Sequence, residues 1–302
     1  MTATATGDTM RDRFARVTSE LLDEDPGLAV VLAEIGLAGF VRARRRHPDR
    51  VINVGIREQL MISVASGLAL SGMRPIAHSY TPFLVERPFE QVKLDLAHQG
   101  VAAILVSIGA SYDASDSGRT HQAPEDVALV SSLPDWQVHV PGHPDEAELL
   151  LRDAAADPGN VYIRLAARAN AEPRPIEPGR FQVVRRGSQA VVIAAGPVLD
   201  RTLEATADLD VTVLYATTVR PFDGDTLRAE LSEPAVVLVE PYLQGTSAMC
   251  VSEALRDRAH RLLPIGVQRL ENRHYGTPAQ HDEAHGLDVA SLRNNIGRFL
   301  EA

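Results

Sequence analysis

Four short segments carry side chains whose types and spacing suit chemistry. The first is Gly55-Ile56-Arg57-Glu58-Gln59, which follows an apolar run and opens a helical pattern, so Glu58 falls in a first helical turn. A carboxylate there is favoured by the helix dipole as well as available for proton handling. The second is Tyr80-Thr81-Pro82-Phe83 with Arg87, in a loop after a strand, where aromatic core packing is the plain alternative. The third is Asp116-Ser117-Gly118-Arg119-Thr120-His121-Gln122, a glycine-containing polar loop with an imidazole near its end. A solvated turn would look much the same. The fourth is Arg164 with Arg168 at a strand end, where guanidinium groups serve an anion or a surface ion pair.

The elements that must position these segments alternate along the chain. Residues 8–25 read as a surface helix capped by Asp8, with Phe14, Val17, Leu21 and Leu22 on one face and Pro26-Gly27 ending it. Strands are expected at 28–32, 51–54, 75–78, 102–107, 137–140 and 161–165. Helices are expected at 57–71, 89–99, 124–132 and 145–156. The run 28–32 is apolar throughout, as in a parallel strand covered on both faces, and it leads into Ala33-Glu34-Ile35-Gly36. This alternation predicts an α/β fold: a doubly wound, mostly parallel sheet with its site in the loops after the strand C-termini. The helix after Glu58 carries Ala65, Ser66, Gly67, Ala69, Ser71 and Gly72, which suit close packing on another element or another chain. Pro173, Pro175, Pro178 and Gly179 mark a linker with a hairpin after it. A smaller α/β unit follows, with strands at 190–194, 211–214 and 235–239. The expected division is 1–172, linker 173–186, and 187–302.

Composition narrows the function classes. A chain of 302 residues makes roughly two domains at about 150 residues each. With 45% hydrophobic and 23% charged residues, it is neither disordered nor collagen-like. A net charge of −10 argues against a general binder of nucleic acid, and any anionic substrate would need a local arginine cluster. The one cysteine, Cys250, excludes a disulfide within the chain and reads as a small buried hydrophobe. The longest apolar runs, near 101–110 and 190–199, fall far short of the roughly twenty residues that span a membrane. Residues 1–10 lack an apolar signal core, so a cytoplasmic protein is expected. His274, His281 and His285 cluster late in the chain and read as a solvated surface group rather than a zinc site; no metal ligand is assigned.

In this order and spacing the segments resemble the C-terminal half of transketolases and the free-standing small subunits of split transketolases. The resemblance runs from about Arg11 to Ile296. Its centre is Arg50-Val51-Ile52-Asn53-Val54-Gly55-Ile56-Arg57-Glu58-Gln59, continuing through Ala65-Ser66-Gly67-Leu68-Ala69. Thr120-His121-Gln122 with Glu125-Asp126 follows, then Pro141-Gly142-His143-Pro144-Asp145-Glu146 and Val161-Tyr162-Ile163-Arg164. Val239-Glu240 and Ile265-Gly266-Val267 match the family's last domain. Deoxyxylulose-phosphate synthase shares much of the pattern, notably residues 87–95, and the beta subunits of 2-oxoacid dehydrogenases share it more loosely.

The resemblance implies a thiamine diphosphate enzyme. Glu58 would bind N1′ of the aminopyrimidine and, by sharing its proton, favour the imino form that activates the thiazolium. Tyr80 and Phe83 would surround the pyrimidine, with Glu34 and Ile35 near it. His121 would line the substrate channel and Arg168 would bind the acceptor's anionic end. Asp116, Arg119 and Arg57 are further candidates on the substrate side. Two departures stand out. The family loop reads Asp-Gly-x-Thr-His-Gln, whereas one extra residue precedes Gly118 here. The upstream phosphate-binding histidine is missing from Val106-Ser107-Ile108-Gly109.

The family's diphosphate and Mg²⁺ site needs a Gly-Asp-Gly and an Asn motif, which supply hard oxygen ligands and backbone amides. The chain contains no Gly-Asp-Gly; Gly224-Asp225-Thr226, the nearest, lies in the second unit. A second polypeptide is therefore expected to anchor thiamine diphosphate and Mg²⁺, in a heterotetramer with two copies of each chain. The expected function is the small subunit of a transketolase-like carboligase, moving a two-carbon ketol unit from a ketose donor to an aldehyde acceptor. The alternatives are a pyruvate-using carboligase of the deoxyxylulose-phosphate synthase type and a non-catalytic partner subunit.

Overall fold

The computed structural model describes residues 8–273 and 275–301. Its strands are β1 (Leu28–Leu32), β2 (Val51–Asn53), β3 (Arg74–Tyr80), β4 (Ile104–Ile108), β5 (Trp136–His139) and β6 (Asn160–Arg164). They continue as β7 (Gln182–Arg185), β8 (Val191–Ala195), β9 (Thr212–Ala216), β10 (Thr218–Arg220), β11 (Ala235–Leu243) and β12 (Arg261–Val267). The helices that matter below are α1 (Met10–Glu24), α2 (Glu58–Leu70), α3 (Asp126–Ser131), α4 (Pro144–Ala156), α5 (Pro278–His285) and α6 (Val289–Glu301).

A seven-stranded sheet runs β10-β5-β6-β4-β3-β1-β2, and a five-stranded sheet runs β12-β11-β8-β9-β7. All neighbours are parallel except β10 on β5 and β7 on β9. Strand alternation divides the side chains of the first sheet between two cores. Leu28, Val30 and Leu32 of β1 pack with Phe14, Val17 and Leu22 of α1. Val31, pointing the other way, packs with Met61, Ile62 and Ala65 of α2. Uninterrupted apolar strands such as β1 thus arise because both faces are covered.

Several expectations needed correction. Thr9, not Asp8, caps α1, its hydroxyl accepting the Asp12 N–H at 3.1 Å, while Asp8 binds Arg13. The segment after β3 is not an open loop but a π-helical turn, Pro82–Glu86, and the following helix also becomes π-helical over Val92–His98. No hairpin follows the linker: β7 skips β8 and lies antiparallel on β9, closing the edge of the second sheet. The three-residue β10 was not expected. It crosses from the second half of the chain to cover the β5 edge of the first sheet, which ties the two sheets together. Among the described residues no helix is long and apolar enough to cross a membrane.

Candidate active site

The ends of β3 and β4 bring three aromatic rings together. Tyr80 closes β3, and the π-helical turn folds Phe83 back beside it, with ring centroids 6.3 Å apart. His121 meets both rings edge-on, 5.1 Å from Phe83 and 5.8 Å from Tyr80. Gly109, just after β4, makes this possible. Its φ is +74°, and an added Cβ would stand 2.3 Å from the Tyr80 ring, so a side chain there would push the tyrosine away.

Glu58 joins this group through Arg87. Its carboxylate is buried at the start of α2, with 3% of the side chain exposed. Oε1 accepts Arg87 Nη1–H at 2.7 Å, and the same guanidinium lies 4.2 Å from the Phe83 ring centroid. One flat cation therefore satisfies the acid and covers the ring. Arg87 is 43% exposed, so it can leave without unpacking a core. What remains is a buried carboxylate beside an aromatic face, suited to a flat nitrogen heterocycle.

The loop that carries His121 forms two tight turns, Ser115–Ser117 and Arg119–His121. His121 Nδ1 lies 3.0 Å from the Thr120 hydroxyl. Asp116 is exposed. Arg119 turns back into the loop: it donates to the Gln122 carbonyl at 2.7 Å and to Glu125 Oε1 at 2.6 Å. Nearby, burial pushes the Glu86 carboxyl up to about 7, and the Glu125 charge adds to the shift.

Beneath this loop lies a network that was not anticipated. For Arg164 the alternative of a surface ion pair does not hold: it is 1% exposed and its Nε donates to Asp126 Oδ2 at 2.7 Å. Asp126, on α3, is fully buried and also accepts the Tyr162 hydroxyl at 2.7 Å. Arg164 further donates to Ser111, which donates to the Pro241 carbonyl on β11. The only sequence signal was one arginine inside the apolar run Val161–Leu165; its partner stands 38 residues earlier.

The other candidates lie elsewhere. Glu34, with φ +66°, accepts Asn53 Nδ2–H at 2.8 Å and donates its own N–H to Asn53 Oδ1, which links the ends of β1 and β2. Ile35 packs against the core under α1. Arg57 is exposed, with no ion pair among the described residues. Arg168 forms an ion pair with Asp282 of α5. His281 and His285 are not a solvated cluster: both are buried and stack on Tyr112, at 5.0 and 5.8 Å. Tyr112 projects from the loop after β4 and turns that face of α5 inward. Among the described residues no group of three or more His, Cys, Asp or Glu could hold a metal ion; His274 lies outside them. Cys250 is half-buried.

Residues 7–171 match the transketolase pyrimidine binding domain, and residues 179–292 match the transketolase C-terminal domain. The chain belongs to the transketolase family. A 33.6 kDa protein of the fasciation locus of Rhodococcoides fascians, described as uncharacterized, is 52% identical, over 95% of this chain and 93% of its own length. The 1-deoxy-D-xylulose-5-phosphate synthase of Thermus thermophilus is 31% identical over 96% of this chain. The chain spans 48% of that enzyme's length. A solved structure described as a split gene transketolase, inactive beta4 tetramer, superposes with a TM-score of 0.85. It is 26% identical and covers 98% of this chain and 99% of its own. This transketolase-family chain and that split-gene chain therefore superpose over nearly the whole of both.

Proposed function

We propose that this chain is the small, pyrimidine-binding subunit of a heteromeric, thiamine-diphosphate-dependent carboligase. It would transfer a two-carbon ketol unit from a ketose to an aldehyde. The observation that carries the reading is the buried Glu58 carboxylate, which shares one flat guanidinium with the face of Phe83. An aminopyrimidine makes the same two demands, an acid against a ring nitrogen and an apolar ring below, so the residues fit the cofactor. When bound, thiamine diphosphate supplies the carbon nucleophile that carries the transferred unit.

The chain's own residues bind, orient and move protons. Glu58 holds a proton at its carboxylate against the pyrimidine nitrogen, and its burial shields that bond from water. Phe83 and Tyr80 orient the ring and exclude solvent. His121, packed on both, hydrogen-bonds the reacting oxygen and exchanges a proton with it. For Mg²⁺ and the diphosphate the chain does not fit: it has no Gly-Asp-Gly and no metal-binding group among the described residues. We assign both to a partner subunit, within a heterotetramer. Ile56, 74% exposed, Leu60 and the open side of Gly67 would face that partner. The division 1–172, 173–186 and 187–302 belongs to this proposal and is supported by the two family matches.

The test is reconstitution with a diphosphate-binding subunit and a donor screen. Turnover of a ketose, lost in Glu58→Ala, supports the proposal; full activity of that variant would leave a non-catalytic partner subunit. The 31% identity to 1-deoxy-D-xylulose-5-phosphate synthase favours a second reading, with pyruvate as donor and loss of CO₂. Pyruvate turnover in the absence of ketose turnover would establish it.

A further inference from the structure

We infer that Tyr275, on the segment between β12 and α5, is a positioning residue for His121: its ring clamps the loop that presents the imidazole to Tyr80 and Phe83. The purpose of the clamp rests on the carboligase reading, in which His121 exchanges a proton with the substrate.

The loop hinges at Gly118. This residue ends the turn Ser115–Ser117 and begins the turn Arg119–His121, with φ +74° and ψ −169°, a region essentially confined to glycine. Its carbonyl accepts the His121 N–H at 3.0 Å, so movement at Gly118 carries the imidazole with it. Asp116, Ser117, Arg119 and Thr120 are exposed on either side, yet Gly118 itself is buried. The cover is Tyr275. A Cβ added at Gly118 would stand 2.6 Å from Tyr275 Cε1 and 3.0 Å from its Cζ, so ring and backbone touch where a side chain would separate them. A second contact lies one turn earlier: the buried Ser115 hydroxyl donates to the Gly276 carbonyl at 3.1 Å. Glu271 comes within 4.0 Å of Arg119 Nε, but both side chains are largely exposed, and such a pair adds little.

The clamp stands on a rigid base. The Tyr275 carbonyl accepts His281 Nε2–H at 2.9 Å, and the buried His281 ring stacks on Tyr112 at 5.0 Å. Gly276 leads directly into Thr277, which starts α5 with a capping box. Tyr275 is 61% exposed, and its hydroxyl makes no hydrogen bond among the described residues. The ring therefore contributes little to the core; what it covers is the hinge. The residue by which this loop exceeds the family pattern falls just before that hinge. The second unit thus acts on the site by fixing a loop of the first.

Hydrogen exchange of the full chain reads the clamp without turnover, and kinetics of the reconstituted complex read its purpose. In Tyr275→Ala the amides of residues 115–121 should exchange about tenfold faster, with those of α5 unchanged. The kcat for a ketose should fall about tenfold while KM changes less than about twofold, since the imidazole is misplaced and the substrate still binds. Tyr275→Phe, which keeps the ring, should restore both. In a His121→Gln background Tyr275→Ala should cost less than about a further twofold, because the two substitutions remove the same contribution. Unchanged exchange in Tyr275→Ala overturns the inference; a lost kcat would then belong to a contact of the exposed ring with substrate or partner. Persistence of the whole loss in the His121→Gln background overturns it as well. Full activity of His121→Gln, with activity lost in Glu58→Ala, keeps the carboligase reading and overturns this inference. Absence of turnover with any donor removes the carboligase reading; faster exchange in Tyr275→Ala still supports the clamp, and unchanged exchange still overturns it.

Discussion

Two arginine–carboxylate pairs stand near the same end of the first sheet and differ in one respect. Arg164 and Asp126 are both sealed from solvent, at 1% and 0% exposure. Glu58 is sealed at 3%, but its partner Arg87 is 43% exposed. A pair buried on both sides can only hold structure, because neither member can leave without stranding a charge. A pair buried on one side offers a desolvated acid whose partner is replaceable. The first pins the His121 loop to β11 through Ser111 and Pro241, and the second leaves Glu58 able to take a ligand.

The sharpest way to break this comparison is to remove one member of each pair. Asp126→Ala should destabilise the chain by about 3–5 kcal/mol in urea unfolding, since it leaves Arg164 buried and unpaired. Glu58→Gln keeps an acceptor for Arg87 and should cost under about 1 kcal/mol. Its effect should appear instead as a loss of about 100-fold or more in turnover by the reconstituted complex. Equal losses of stability in the two variants would erase the distinction between the pairs.

A smaller effect tests the replaceable partner. Arg87→Gln removes the competitor for Glu58 and the Phe83 face, and should tighten thiamine diphosphate binding up to about fivefold, read by fluorescence titration of the complex. Weaker binding would mean that Arg87 assists the cofactor rather than standing in for it.

The contrast between the pairs was only half legible in the sequence. Glu58 could be singled out because strand, glycine and helix start are consecutive, so its position depends on local structure alone. The parallel sheet was legible for a similar reason: strands such as 28–32 are apolar at every position. The burial of Arg164 was not legible because it depends on Asp126, brought beside it only by tertiary folding. The same holds for Tyr112 with His281 and His285, where rings about 170 residues apart stack and turn a polar-looking helix face inward. The short β10 has no apolar period and exists because an exposed edge at β5 needed a partner.

The mildest test concerns the buried side alone. Burial raises the Glu240 carboxyl, on β11 beside Pro241, to about 7 from an ordinary value of 4.5. A protonated native form adds stability that is complete below the unfolded value and lost as pH rises through the folded one. The melting temperature of Glu240→Gln, relative to wild type, should therefore move in the variant's favour between about pH 5 and about pH 8. A constant difference across that window would place the Glu240 titration outside it.

The central claim is that this chain holds half of a site and needs a partner for the rest. Calorimetric titration of thiamine diphosphate with Mg²⁺ into the purified chain, then into its complex with a diphosphate-binding subunit, measures it directly. The account predicts no tight binding to the chain alone and tight binding to the complex, weakened in the complex carrying Glu58→Ala. Tight binding by the chain alone, with turnover of a ketose, would contradict it.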